Sequence, residues 1–183
     1  RTGRVLPRVL GHLVEANPGV DLRVHRTRDF DHARQLTLSA VEAARSRPDR
    51  RHSLIVMGGD GMAHLGVNAC AGTQVNLGII PAGTGNDLVR GLGIPTSIDE
   101  ATAVIASGQI DQVDANLITG DHLVHGPREH VGCSLSTGYD ALVNRRANDQ
   151  KLPLGPLTYG YAAITELARF EPLHYRMPVS YTH

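Results

Sequence analysis

The sequence predicts an α/β fold with a parallel sheet, followed by part of a β-rich second domain. Three observations lead there. The short apolar runs Leu54-Ile55-Val56-Met57 and Leu77-Gly78-Ile79-Ile80 are each followed by a glycine-rich turn and then by helical spacing. Helix-like and strand-like segments alternate up to about Ser107, the order expected of crossover units on a parallel sheet. After Gly108 the chain changes to short strand-like runs joined by polar turns. We therefore divide it into residues 1–108, the α/β domain, and residues 109–183, the partial β-rich domain.

The elements follow in order. Val5-Leu6, Val9-Leu10 and Leu13-Val14 recur at helical spacing, and Asn17-Pro18-Gly19 ends that helix with turn chemistry. Val20 to His25 alternates and predicts a strand ending near Thr27. Asp31 is placed to cap a helix that runs through Ala33, Leu36, Ala40 and Ala44 and stops before Pro48. Ser53 to Met57 and Asn76 to Ile80 are the apolar strands, with a helix from Met62 to Ala71 between them. Asn86 to Leu92 predicts a short helix closed by Gly93-Ile94-Pro95. Ser97 and Glu100 have the spacing of a capping box, opening a helix to about Ser107. Beyond Gly108, strands are expected at 110–115, 117–118, 123–124, 131–135 and 174–181, with helices at 141–148 and 157–170.

Composition limits the function. Lys+Arg and Asp+Glu balance at 18 each, which gives no bulk electrostatic case for nucleic acid. Lys151 is the only lysine, and no Gly-Lys-Ser/Thr run exists, which excludes a P-loop. Cys70 and Cys133 are isolated, which favours a reduced, cytoplasmic setting over a disulfide framework. No apolar run approaches the roughly 18 residues that span a bilayer. The ten histidines are scattered.

The chemistry concentrates in two loops, Gly58-Gly59-Asp60-Gly61 and Pro81-Ala82-Gly83-Thr84-Gly85-Asn86-Asp87. Strand, glycine turn, helix aims backbone N–H groups and a helix N-terminus at an anion. Glycine allows the backbone itself to approach that anion. Taken alone, the first loop would also serve as a tight strand-to-helix connection. The second adds a rigid entry, a hydroxyl and an amide–carboxylate pair, which a plain turn does not need. On neighbouring parallel strands the two would face one crevice, a site for nucleotide phosphates. His64 and Met62 read as first-turn and packing residues of the intervening helix.

GGDGM at 58–62 and PAGTGND at 81–87 resemble the diacylglycerol kinase catalytic family, which includes bacterial lipid kinases and sphingosine kinases and shares a superfamily with NAD kinases. The segment Thr137-Gly138-Tyr139-Asp140-Ala141 through Arg146-Ala147-Asn148 is similar to a downstream family region. The resemblance implies an NAD kinase/diacylglycerol kinase-like nucleotide-binding domain. It also implies transfer of the γ-phosphoryl group of ATP to a lipid hydroxyl, with diacylglycerol the leading acceptor and phosphatidic acid the product. The implied partners are ATP, Mg²⁺ and a lipid at the membrane surface, with peripheral membrane contact and no nucleic acid; a homodimer is admitted. Thr27, Gly58, Gly59, Asp60, Gly61, Met62, Gly83, Thr84 and Asn86 are the implied nucleotide contacts. Asp60, Asp87 and Asp114 are the candidate Mg²⁺ ligands, being hard oxygen donors. Asp60 is also the candidate general base. Capping would equally explain Asp87, and an ion pair Asp114.

Two departures accompany the resemblance. Leu65 and Gly66 stand where most relatives carry a glutamate after GGDG, and this chain contains no Asp-Gly-Glu, the family's late catalytic element. The resemblance therefore implies a piece that starts after the family's first strand and ends inside the second domain. A NAD kinase-like enzyme and a non-catalytic nucleotide-binding module are the competing readings.

Overall fold

A computed structural model of the chain describes residues 2–121, 123, 125–149, 157–172 and 174. They form two compact units, residues 1–133 and 134–183.

The first unit is built on two strands, β1 (Ser53–Gly58) and β2 (Asn76–Pro81). They pair in parallel, with Ser53 opposite Asn76 and Gly58 opposite Pro81. Both faces of this sheet are covered, which is why the strands read as continuous apolar runs rather than alternating ones. The alternation appears in their destinations. Leu54, Val56, Leu77 and Ile79 pack towards α2 (Phe30–Arg45) and α3 (Asp60–Cys70), among Val41, Ala63 and Ala69. Ile55, Met57 and Ile80 pack towards α1 (Thr2–Ala16) and α5 (Ile98–Ser107), among Val9, Leu13 and Ile105. The short α4 (Asp87–Gly91) adds Leu88 and Val89 to the first of these clusters. Fully burying an aliphatic side chain of this kind contributes about 1.5–3 kcal/mol, so the sheet is the stable floor on which the glycine loops stand.

Four local expectations change. Residues 20–27 form no strand and have no ladder partner among the described residues. The alternation there half-buries only Leu22, against the Val9–Leu13–Ile80 cluster, and leaves Val20 and Val24 exposed. The cap of α2 is Asp29 rather than Asp31, its Oδ1 accepting the His32 N–H at 2.8 Å. Helix α3 begins at Asp60 instead of Met62, directly on the glycine turn. Ser97 is the N-cap residue of α5, but its side chain makes no capping bond; Gly108 ends that helix at φ +70°.

Beyond Gly108, residues 110–115 are exposed and irregular where a strand is expected. The strands that form are β3 (Asn116–Thr119) and β4 (Arg128–Val131), an antiparallel hairpin with Asn116 opposite Val131. Thus β4 starts three residues earlier than expected, and residues 132–135 lie outside it. Leu123 lies in the connection of the hairpin; Val124 lies outside the described residues.

The second unit contains α6 (Tyr139–Asp149) and α7 (Thr158–Leu167), near the helices expected at 141–148 and 157–170. Val143 and Ala162 are buried there. Tyr139 Oη donates to the Ala163 carbonyl at 2.7 Å, its ring meets Phe170 edge-on, and Arg146 pairs with Glu166. The strand expected at 174–181 lies outside the described residues, save His174.

Candidate functional site

The two glycine loops leave β1 and β2 side by side and cross in direct backbone contact. The Ala82 N–H donates to the Gly58 carbonyl at 2.8 Å, carrying the pairing of the strands one step into the loops. A Cβ on Gly83 would lie 2.4 Å from the Cα of Gly59, a separation real atoms do not adopt. Glycine is required here for close approach of one main chain to another.

Asp60 locks the crossing. It is the first residue of α3, and its carboxylate reaches the start of α4 in the other loop. Oδ2 accepts the Asn86 N–H at 2.8 Å; Oδ1 accepts the Asp87 N–H at 2.7 Å and the Leu88 N–H at 3.4 Å. These donors belong to the first turn of α4, which has no side-chain cap of its own. A carboxylate is favoured there both by the donors and by the helix dipole, and hydrogen bonds to a charged partner contribute about 1.5–3 kcal/mol each. One side chain thus caps a helix 26 residues away in sequence.

Asn86 completes the lock. It is the only non-glycine residue with positive φ among the described residues, at φ 55° and ψ 44°. Asparagine tolerates this left-handed conformation better than most side chains. Its Oδ1 accepts the Gly83 N–H at 3.1 Å, and its Nδ2 donates to the Gly83 carbonyl at 3.0 Å. The side chain is buried and engaged at both ends, so its visible work is to shape the loop.

The remaining site residues divide. Gly58, Gly59, Gly61 and Met62 lie on the first loop and the opening of α3, where the Asp60 and Gly61 N–H groups have no acceptor within the helix. Thr84 and Asp87 are exposed on the second loop. Asp87 is not the cap of α4: Asn86 holds the N-cap position and Asp60 supplies the bonds. Thr27 is exposed at the end of the irregular 20–27 segment, and Asp114 is exposed within 110–115, without an ion pair among the described residues. No group of three His, Cys, Asp or Glu side chains is gathered for a metal ion among the described residues. Asp60 and Asp87 meet at the crossing, and Asp114 does not join them in such a group.

His64 has a role that the sequence did not assign. Its Nε2 lies 2.7 Å from Glu129 Oε1 on β4. One turn later, Asn68 Oδ1 accepts the His130 N–H at 2.7 Å, and its Nδ2 donates to the His130 carbonyl at 3.0 Å. Helix α3 therefore carries the first glycine loop at one end and is clamped to the hairpin along its side. No helix among the described residues is long and apolar enough to cross a membrane.

Comparison with known proteins agrees with this geometry. Residues 2–118 match the diacylglycerol kinase catalytic domain, and residues 133–182 match the YegS C-terminal NAD kinase beta sandwich-like domain. A protein named diacylglycerol kinase from Mycobacterium tuberculosis (strain CDC 1551 / Oshkosh) is 37% identical over 160 residues, covering 87% of this chain and 49% of its own length. A "Probable lipid kinase YegS-like" protein of Xanthomonas oryzae pv. oryzae (strain MAFF 311018) is 28% identical over 164 residues, covering 85% of this chain and 49% of its own. A crystal structure of a "putative diacylglycerol kinase" from Bacillus anthracis str. Sterne aligns with a TM-score of 0.52 at 30% identity, covering 62% of this chain and 39% of that one. The chain spans about half the length of these two curated relatives. With an α/β unit on a parallel sheet, GGDG and PAGTGND in backbone contact, and the catalytic-domain match across most of its length, this chain belongs to the diacylglycerol kinase catalytic domain family, a family of lipid kinases.

Proposed function

We propose that this chain is the nucleotide-binding part of an ATP-dependent lipid kinase that phosphorylates diacylglycerol at the membrane surface. The observation that carries the reading is the locked crossing of the two glycine loops at the carboxyl ends of paired parallel strands. Phosphoryl transfer depends on positioning and charge stabilisation more than on covalent chemistry, and a rigid backbone cradle supplies positioning. In this reading the N–H groups of Asp60 and Gly61 face the phosphates, and the Thr84 hydroxyl donates to them. Thr27 contacts the nucleotide from the segment before α2. The division into residues 1–108 and 109–183 is part of the same proposal, the second part carrying lipid contacts.

Mg²⁺ would supply charge neutralisation of the phosphates when bound. The donor set fits a water-rich site better than a protein cage: Asp87 is exposed, and both oxygens of Asp60 already accept backbone N–H groups. The same bonds favour Asp60 as a positioning residue over a general base.

Calorimetry with ATP·Mg²⁺ tests the reading. The parent chain should bind, and Gly59→Val, which puts a branched side chain at the 3.1 Å approach to Gly83 Cα, should bind at least about tenfold more weakly while remaining folded. Equal affinity in the two would sink it. A second reading, a nucleotide-binding module without catalysis, is favoured by Leu65 and Gly66, both buried, standing where most relatives carry a glutamate. Phosphorylation of diacylglycerol in mixed micelles separates the two readings.

A further inference from the structure

A second concave site lies where α2, α3 and the start of β4 converge around a cavity of about 150 Å³. Its lining is unusual in charge. Arg34 of α2 is half-buried, and its Nη2 donates to the His125 carbonyl at 2.6 Å. Arg128 of β4 lines the same space. Neither guanidinium has a carboxylate partner among the described residues. The lone carboxylate of the lining, Glu129, is only 16% exposed and is engaged by His64 at 2.7 Å. Two guanidinium groups thus share the lining with one carboxylate that already has a partner in His64. Asn68 and the His64 ring add polar surface, and Leu65 gives an apolar wall.

Two arginines lining one small cavity with a single, already engaged carboxylate call for a further anion. The planar guanidinium fork matches phosphate and carboxylate oxygens in pairs, and such charge-assisted bonds are the strong ones. The space is below the roughly 300 Å³ typical of sites for drug-sized ligands, so a single oxyanion group fits better than a whole nucleotide.

We propose that this cavity binds the oxyanion of a phosphate monoester between Arg34 and Arg128, at a site distinct from the nucleotide cradle. Free inorganic phosphate and the headgroup of a phosphorylated lipid share that chemistry. The consequence is structural: the anion bridges α2 to β4 across α3, the helix that begins at Asp60. An occupied site holds the hairpin against the helix that carries the first glycine loop.

The test uses the parent chain and Arg128→Gln, an exposed position whose loss leaves the Arg34–His125 bond in place. Amide spectra are recorded during titration with inorganic phosphate, and separately with phosphatidylcholine vesicles with and without phosphatidate. Shifts at residues 125–131 with either phosphate source, weakened about tenfold or more in Arg128→Gln at unchanged ATP·Mg²⁺ affinity, are the expected result. The source that saturates them identifies the ligand. A phosphate-dependent rise in melting temperature, present in the parent and lost in the variant, is the second readout. The proposal is overturned if neither source shifts these amides or if Arg128→Gln binds as the parent does. It is also overturned if ATP·Mg²⁺ displaces the anion, since the cavity would then be part of the nucleotide site.

Discussion

Two regions of the first unit contrast in how they are held. At the loop crossing, main chain meets main chain: Gly59 and Gly83 are in contact, and Asp60 and Asn86 bond to backbone groups of the opposite or same loop. At the β3–β4 hairpin, side chains reach across a gap: His64 to Glu129, Asn68 to the His130 backbone, and Arg34 to the His125 carbonyl. Backbone contact leaves no slack, because any added atom displaces a whole loop. Side-chain clamps tolerate small shifts and can be removed singly. The first arrangement suits a cradle that must be in place before its ligand arrives; the second suits a part that is attached to the cradle and adjustable.

The largest expected effect breaks the crossing. Gly83→Ala should destabilise the first unit by on the order of 3 kcal/mol, since its methyl group would lie 2.4 Å from Gly59 Cα. ATP·Mg²⁺ affinity should fall with it. Urea unfolding measures the first and calorimetry the second; an unchanged midpoint would show that the two loops are not in contact.

Asp60→Asn should come next. The amide keeps one acceptor but turns N–H groups towards the α4 donors, leaving at least one unpaired at a cost of about 1–3 kcal/mol. A lowered melting temperature together with weaker nucleotide binding is expected. Unchanged melting with abolished transfer would instead assign Asp60 to the chemistry.

The motifs of the crossing could be read from the chain because glycine identity and strand–turn–helix order are local signals. Its lock could not. Nothing in the order of residues says that Asp60 caps α4, because the cap acts through space between helices that a sequence reading treats separately. Asn86 in the left-handed region left a usable trace: asparagine is the residue to expect where a non-glycine must take positive φ. The hairpin was less legible still. Its clamps join residues more than 60 positions apart, and Asn68 carries no mark distinguishing a clamp from a polar helix residue. Residues 20–25 mislead for a related reason, since alternation reports a face to bury and says nothing about whether a partner strand lies alongside.

Asn68→Ala should separate the two regions. Loss of the paired bonds to His130 costs about 1–2 kcal/mol locally, so amide exchange at 128–131 should accelerate while ATP·Mg²⁺ affinity stays at the parent value. A parallel loss of affinity would mean that the hairpin clamp is part of the cradle.

The smallest effect is confined to alkaline pH. Burial pushes the Cys70 thiol up from 9.0 to about 11. Well below pH 9.0 it is protonated in folded and unfolded chains alike; as pH rises through 9.0 towards about 11 the unfolded chain releases a proton that the folded chain keeps, so stability falls as pH rises. Melting from pH 8 to 10 should show a steeper decline in the parent than in Cys70→Ala; identical slopes would remove the thiol as the cause.

The most direct measurement is the map of amide shifts when ATP·Mg²⁺ is added to the parent chain. Shifts centred on residues 58–62 and 83–88, with both loops responding at the same nucleotide concentration, are the expected result for one cradle built from two crossed loops. Shifts confined to one loop, or centred away from both, would contradict it.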